Sequence, residues 1–183
     1  MIISQRERGG GMQTICIWCG SALDAVAIQQ EARRPITKGL CTACRNDVVK
    51  QGDISALVKF LDESDAPLLL MQGNPRQVVT ANQEACALVE KDLSRIEQHR
   101  GGQVFDCIHS LSEAGCGKDK QCENCKIKNA VVGTFITGTS FNGVSTILEI
   151  KKHAEINAYD IQVTTEKVGD YALLKIDRYE RRD

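Results

Sequence analysis

The sequence predicts an α+β protein: an antiparallel five-stranded sheet with helices on one side, preceded by a small N-terminal unit built around four cysteines. Between residues 67 and 183, strand-like and helix-like runs follow in the order strand, strand, helices, strand, strand, strand. That order is typical of an antiparallel sheet whose helices are grouped together. In addition, eight of the nine cysteines fall into two compact sets of four.

Composition indicates an ordered globular chain and argues against several partners. With 42% hydrophobic and 26% charged residues, the 183-residue chain can bury a core. Its formal net charge of -1 gives no general attraction to nucleic acid or anionic lipid, and 4% aromatic residues supply few stacking platforms. No signal peptide or membrane-spanning run is present. We therefore expect a cytoplasmic protein with no membrane partner and no nucleic-acid partner.

The first cysteine set predicts a zinc-ribbon-like domain over residues 12–52, after a flexible tail over residues 1–11. It consists of two C-x2-C pairs separated by 21 residues: Cys16, Cys19, Cys41 and Cys44. Two such pairs can complete a tetrahedral four-thiolate zinc site, whose binding free energy would fold a unit too small for a core. A thioredoxin-like redox pair is the alternative, but neither pair lies in the strand–helix pattern such motifs need.

Residues 53–66 are predicted to form a connector helix and a linker. Ile54, Leu57, Val58 and Leu61 recur at helical spacing and form one apolar stripe. Acidic residues then break the stripe before Pro67, which marks residues 62–66 as the domain boundary. The stripe fits packing within the chain, and a homodimer contact between two copies is the alternative.

Residues 67–183 carry the elements of the predicted sheet. The apolar run 68–71 and the run 77–80 flank a Gly-Asn-Pro turn and predict a hairpin. A helix capped by Thr80 or Asn82 follows, and a longer helix from Ile127 is ended by Gly138. Strands are predicted over residues 142–151, 159–164 and 171–176, the last two joined by a turn at residues 167–170.

The second cysteine set has the spacing C-x8-C-x5-C-x2-C and comprises Cys107, Cys116, Cys122 and Cys125. Four thiolates in one segment can hold either tetrahedral zinc or an iron–sulfur cluster, and ligand type does not separate the two. Thiol–disulfide switching is a third reading. His109 could replace one cysteine as a ligand, although a surface role suits it better. We expect Cys86 to be a buried apolar side chain.

Several stretches resemble a known family. The segments VVTANQEACALV, YDIQVTT and YALLKIDRYE are similar to those of PAS domains, and CIHS…GCGKDKQCENCKIKNAV followed by TGTSF resembles a cysteine-rich variety found in bacterial signalling proteins. The likeness covers roughly residues 64–180, and ICIWCG…GLCTAC resembles zinc-ribbon-like segments that accompany such sensors. It implies a PAS-like sensory and dimerising module over residues 67–183. Since no output domain is recognisable after residue 180, it also implies a protein partner that supplies the output.

No catalytic or phosphate-binding motif appears in the sequence, so we expect no enzymatic activity. The preferred interpretation is a sensory or regulatory module that binds metal through both cysteine sets and responds to redox state or oxygen through the second. The alternative is a zinc-stabilised adaptor that binds protein or nucleic acid and senses nothing. A small redox carrier is a third hypothesis.

Overall fold

The computed structural model describes residues 54–183. The predictions for residues 1–53, including the tail and the zinc site at Cys16, Cys19, Cys41 and Cys44, lie outside the described residues. The helices are α1 (Ile54–Asp62), α2 (Gln83–Val89), α3 (Gly101–Val104) and α4 (Lys126–Thr137). The strands are β1 (Leu68–Gly73), β2 (Arg76–Ala81), β3 (Phe141–Lys152), β4 (Glu155–Val168) and β5 (Tyr171–Arg181). Short 3-10 turns occupy Leu93–Arg95, Ile108–Ser110 and Lys120–Asn124. No helix within the described range is long and apolar enough to cross a membrane.

The predicted five-stranded antiparallel sheet is confirmed. Its strand order is β2-β1-β5-β4-β3, and every neighbouring pair is antiparallel. The last three strands are longer than the sequence pattern indicated. The β3–β4 pairing continues to Lys152 opposite Glu155, so only His153 and Ala154 form the turn, both with positive φ. Neither histidine nor alanine is typical of such a turn, so no residue pattern indicated a hairpin between β3 and β4.

One face of the sheet, called here the inner face, carries the larger core. It is covered by α2, α4 and the segment that contains the second cysteine set. Leu69, Ile161 and Leu174 project from the strands and are almost fully buried. Ala85, Phe105 and Val131 pack against them from the covering segments. This face therefore holds most of the apolar side chains that the periodicity assigned to a core.

The opposite face, called here the outer face, is covered over β1, β2 and β5 by α1. Leu57, Phe60 and Leu61 of this helix cluster with Leu68 and Leu70 of β1. The helices predicted for residues 67–183 thus lie on the inner face, whereas the connector helix, for which no face was predicted, packs on the outer face. The physical reason is that β1 is apolar on both faces: Leu68 to Met71 are all buried, and side chains alternate between faces along a strand.

A buried asparagine joins α1, β1 and α2. The Asn82 side-chain oxygen accepts hydrogen bonds from the backbone N–H groups of Leu68 at 2.9 Å and Ala85 at 3.0 Å, and the second bond caps α2. Its amide nitrogen donates to the carbonyl oxygens of Leu61, Ser64 and Ala66. The cap was predicted. The three bonds to the connector were not, because they span 16 to 21 residues of sequence.

Candidate metal centre in the cysteine cavity

All four cysteines of the second set line one cavity against the inner face of the sheet. Cys107 follows α3 and forms an isolated bridge with Ile150 of β3. Cys116 lies in the loop after the Ile108–Ser110 turn, Cys122 lies within the Lys120–Asn124 turn, and Cys125 is the residue before α4. Four short stretches of chain thus bring their sulfur-bearing residues to the same space, called here the cysteine cavity.

The rest of the cysteine cavity is mainly apolar, and its volume is about 50 Å³. Leu69, Met71 and Leu174 form a floor that belongs to β1 and β5, while Ile127 and Val131 approach from α4. Because its floor consists of sheet residues, whatever occupies the cavity contacts two central strands directly. The cysteine segment thus lies between the sheet and the long helix α4.

Two backbone N–H groups point at cysteine sulfurs. Gly102 N–H donates to Cys116 Sγ at 3.2 Å, and Gly117 N–H donates to Cys122 Sγ at 3.3 Å. A Cβ atom built on Gly102 would lie 2.7 Å from Cys116 Sγ, so a side chain at position 102 would collide with the sulfur. Hydrogen bonds of this kind stabilise a sulfur that carries negative charge. The loop is therefore shaped to receive thiolates.

The surroundings without a cation favour the neutral thiol. Burial raises the pKa of Cys107 and of Cys116 above the ordinary thiol value, and negative charge on the neighbouring cysteines would raise it further. The backbone N–H bonds to both sulfurs, and Arg76 in the case of Cys116, act in the opposite direction. A bound metal cation would supply the positive charge that deprotonates such thiols. The donor set and the N–H donors therefore fit a thiolate-bound metal.

The four cysteines share one cavity but do not form a closed metal site. Among residues 54–183, no group of three or more His, Cys, Asp or Glu side chains is arranged so that it could hold a metal ion. All five cysteines in this range are free thiols. The structure therefore brings Cys107, Cys116, Cys122 and Cys125 to one cavity, while the metal-ligand role predicted for them stays a prediction.

Other residues considered in the sequence lie elsewhere. His109 faces Asp119, with 3.8 Å between Nδ1 and Oδ1, and does not line the cysteine cavity. Cys86 is partly buried against the core of the inner face, and burial raises its pKa, in agreement with the apolar role expected for it. Lys128 does line the cavity, and its Nζ donates to the carbonyl oxygen of Cys122 at 3.0 Å.

Sequence reasoning missed two arginines at the cavity. Arg76 is the first residue of β2, Arg100 is the residue before α3, and both line the cavity. Arg100 Nη1 donates to the carbonyl oxygen of Cys116 at 3.0 Å. Neither arginine belongs to a cluster of basic residues, and the two lie 40 and 16 residues before Cys116 in the sequence. No local pattern could have connected them with the cysteines.

Comparison with solved structures finds LOV and PAS domains. A light-oxygen-voltage (LOV) protein from Rhodobacter sphaeroides is 15% identical, with a TM-score of 0.49, over 70% of this chain and 67% of its own. The PAS domain, in complex with ethanol, of a LuxR-family transcriptional regulator from Burkholderia thailandensis is 10% identical, with a TM-score of 0.44, over 66% and 95%. The PAS domain of nitrogen regulation protein NR(II) from Vibrio parahaemolyticus is 13% identical, with a TM-score of 0.40, over 66% and 94%. No family model and no curated protein matches the chain.

Proposed function

We propose that this chain is a non-enzymatic sensory or regulatory module of PAS type, and that its cysteine cavity holds a metal centre that responds to redox state or oxygen. The observation that carries the proposal is the meeting of Cys107, Cys116, Cys122 and Cys125 in one apolar cavity against β1 and β5. Two of these sulfurs already accept backbone hydrogen bonds, which would stabilise the thiolate form that a metal requires.

An iron–sulfur cluster is the first candidate for this centre, because a response to redox state or oxygen requires a centre that can change its oxidation state. In a cluster, the four cysteines together bind two or four irons. Zinc instead requires its four sulfurs to approach one point, each at about 2.3 Å. A single zinc ion that pins the segment to the sheet is the second candidate, since the same four thiolates would satisfy it if the loop closed.

The chain's own residues would have separate tasks in such a centre. The four cysteines would hold the metal, and the N–H groups of Gly102 and Gly117 would stabilise the negative charge on Cys116 and Cys122. When bound, an iron–sulfur cluster supplies redox chemistry whose potential depends on charge and hydrogen bonds at the sulfurs. Because Leu69 and Leu174 form the cavity floor, loss or change of the centre would act on the packing of β1 and β5.

The remaining parts of the proposal concern the N-terminal set and the partners. We propose structural zinc at Cys16, Cys19, Cys41 and Cys44, because two C-x2-C pairs at this separation are typical of such sites. Signalling output would come from a protein partner, with homodimerisation as a further expectation. The alternative function is a zinc-stabilised adaptor for protein or nucleic acid, in which neither metal site responds to a signal.

Anaerobic purification followed by metal and sulfide analysis tests the proposal. We expect a coloured protein that contains iron and acid-labile sulfide in similar amounts, together with zinc. Cys122→Ser should abolish the colour and the iron, while zinc at the first set is retained. Cys86→Ser is the matched control and should keep both. Colourless protein that holds only zinc would support the second candidate, and a chain that binds no metal at the second set would refute the proposal.

A further inference from the structure

The loop between Cys116 and Cys122 has two cations placed over its backbone. A Cβ atom built on Gly117 would lie 2.5 Å from Nη2 of Arg76 and 3.4 Å from Nη1 of Arg100. Gly117 also has a φ of +83°, which a side chain would strain. The two guanidinium groups therefore approach the same peptide from different elements, and that peptide carries the N–H donor to Cys122 Sγ.

The arginine pair carries charge that no acidic side chain of residues 54–183 compensates through an ion pair. Both arginines are partly buried, and neither forms an ion pair with a carboxylate belonging to residues 54–183. Two guanidinium groups that converge on one partly buried site repel each other, and burial makes the repulsion stronger than in water. The arrangement therefore favours a negatively charged occupant of the cysteine cavity.

Metal binding would offset the repulsion between the two arginines. A divalent ion held by four thiolates is a doubly negative unit, and so is an oxidised iron–sulfur cluster held by four thiolates. Lys128 adds a third cationic side chain that lines the same cavity. Positive charge around a partly buried anionic centre stabilises it strongly, because solvent screens the interaction only in part.

We propose that Arg76 and Arg100 retain the metal-loaded state of the cysteine cavity by compensating its negative charge, and that they raise the reduction potential of a redox-active centre held there. This inference rests on the proposed function. In this assignment Arg76 and Arg100 are positioning residues that act through charge, while the cysteines alone hold the metal. Because Arg76 is the first residue of β2, it also couples the loading of the cavity to the edge strand of the sheet.

The test compares how fast anaerobically purified full-length variants lose their metal to excess EDTA, followed by visible absorbance and metal analysis. Arg76→Met keeps the length of the side chain and removes the charge, so we expect loss roughly three to ten times faster than in the wild type. Arg76→Lys keeps the charge and should stay within about twofold of the wild type. Arg178→Met is the control, because Arg178 lies on β5 with a side chain that is 48% exposed and faces Glu180.

A second readout separates charge from packing. Raising the salt concentration should narrow the difference between wild type and Arg76→Met, because salt screens charge. The reduction potential of a coloured centre should fall in Arg76→Met and in Arg100→Met, and should change little in Arg76→Lys. If Arg76→Met does not fold by circular dichroism, Arg76→Gln and the salt dependence of metal loss in the wild type give the same test.

The outcomes distinguish this inference from the proposed function. A wild-type chain without metal at the second cysteine set overturns both. A metal-loaded wild type whose Arg76→Met variant keeps its metal equally well overturns the inference alone. Loss from Arg76→Lys that is as fast as loss from Arg76→Met also overturns it, since the guanidinium would then act through packing. Faster metal loss from Arg76→Met than from Arg76→Lys, with Arg178→Met at the wild-type rate, supports the inference.

Discussion

The two faces of the sheet are closed in different ways. On the outer face, α1 packs Leu57 and Leu61 onto β1, and Asn82 ties the end of that helix to the strand through hydrogen bonds. On the inner face, the cysteine segment leaves a cavity bounded by sulfurs, arginines and apolar side chains. Over β1, β2 and β5, the outer face is closed by apolar packing together with the Asn82 hydrogen bonds. The inner face keeps a cavity lined by chemically reactive groups, so the candidate functional site lies there.

Removing the Asn82 side chain should have the largest effect on stability and the smallest on the cavity. Asn82 is 2% exposed and makes five hydrogen bonds to backbone groups, so Asn82→Ala leaves buried carbonyl and N–H groups without partners. We expect the free energy of unfolding to fall by about 4 kcal/mol. Urea denaturation measures the change. Metal retention by the folded fraction should remain at the wild-type rate.

Ser64→Ala is the matched control for the outer face, since its hydroxyl accepts a single hydrogen bond from Ala66 N–H at 3.2 Å. This substitution should lower the free energy of unfolding by about 1 kcal/mol. If Asn82→Ala cost no more than Ser64→Ala, or released the metal from folded protein, the separation of the two faces would be wrong.

Lys91 should show the opposite balance, with a smaller effect on stability and a larger one on the cavity. Its Nζ donates to the carbonyl oxygens of Gln103 at 2.6 Å and Val104 at 2.9 Å, and pairs with Asp106 at 2.7 Å. These contacts hold Asp106, the residue before Cys107. Asp106 has a positive φ of 55°. Lys91→Met should lower the free energy of unfolding by about 2 kcal/mol and speed metal loss.

The control for Lys91 is Lys175→Met, which breaks the Lys175–Asp177 pair on β5, away from the cysteine cavity. An ion pair of this kind contributes about 0.5 kcal/mol, and metal loss should not change. Equal rates of metal loss in the two variants would show that Lys91 does not position Cys107.

Removing the Tyr179 hydroxyl should have the smallest effect on the free energy of unfolding at neutral pH. Its ring contacts Phe105 and Tyr159 on the inner face, and its hydroxyl is the buried side-chain polar atom within residues 54–183 that lacks a hydrogen-bond partner. Tyr179→Phe should therefore change the free energy of unfolding by less than about 1 kcal/mol, in the stabilising direction.

The pH dependence gives the sharper readout for Tyr179. Burial raises the pKa of its hydroxyl above the usual value of 10.0, so the folded chain keeps this proton at pH values where the unfolded chain releases it. The contribution to stability is complete below pH 10.0 and is lost as the pH rises above it. Chemical denaturation across this range should show a steeper loss for the wild type than for Tyr179→Phe. Parallel curves would contradict the assignment.

Within residues 54–183, local sequence patterns predicted the kind and order of the main elements. The apolar runs marked β1 and β2, Asn82 marked the start of α2, and Gly138 ended α4 with a positive φ of 71°. Periodicity, caps and turn residues act over a few positions, so they can be read from a linear sequence. The spacing of Cys107, Cys116, Cys122 and Cys125 likewise identified the candidate site.

Tertiary structure alone decided three features of the molecule. These are the face of the sheet that α1 covers, the approach of Arg76 and Arg100 to Gly117, and the arrangement of the four cysteines around one cavity. Each depends on residues that are distant in sequence and meet only when the sheet is assembled. An apolar stripe indicates that a helix buries one side, but it does not indicate against which face of the sheet. The spacing of four cysteines indicates that their sulfurs are close, but the fold of the backbone between them decides how the sulfurs are arranged.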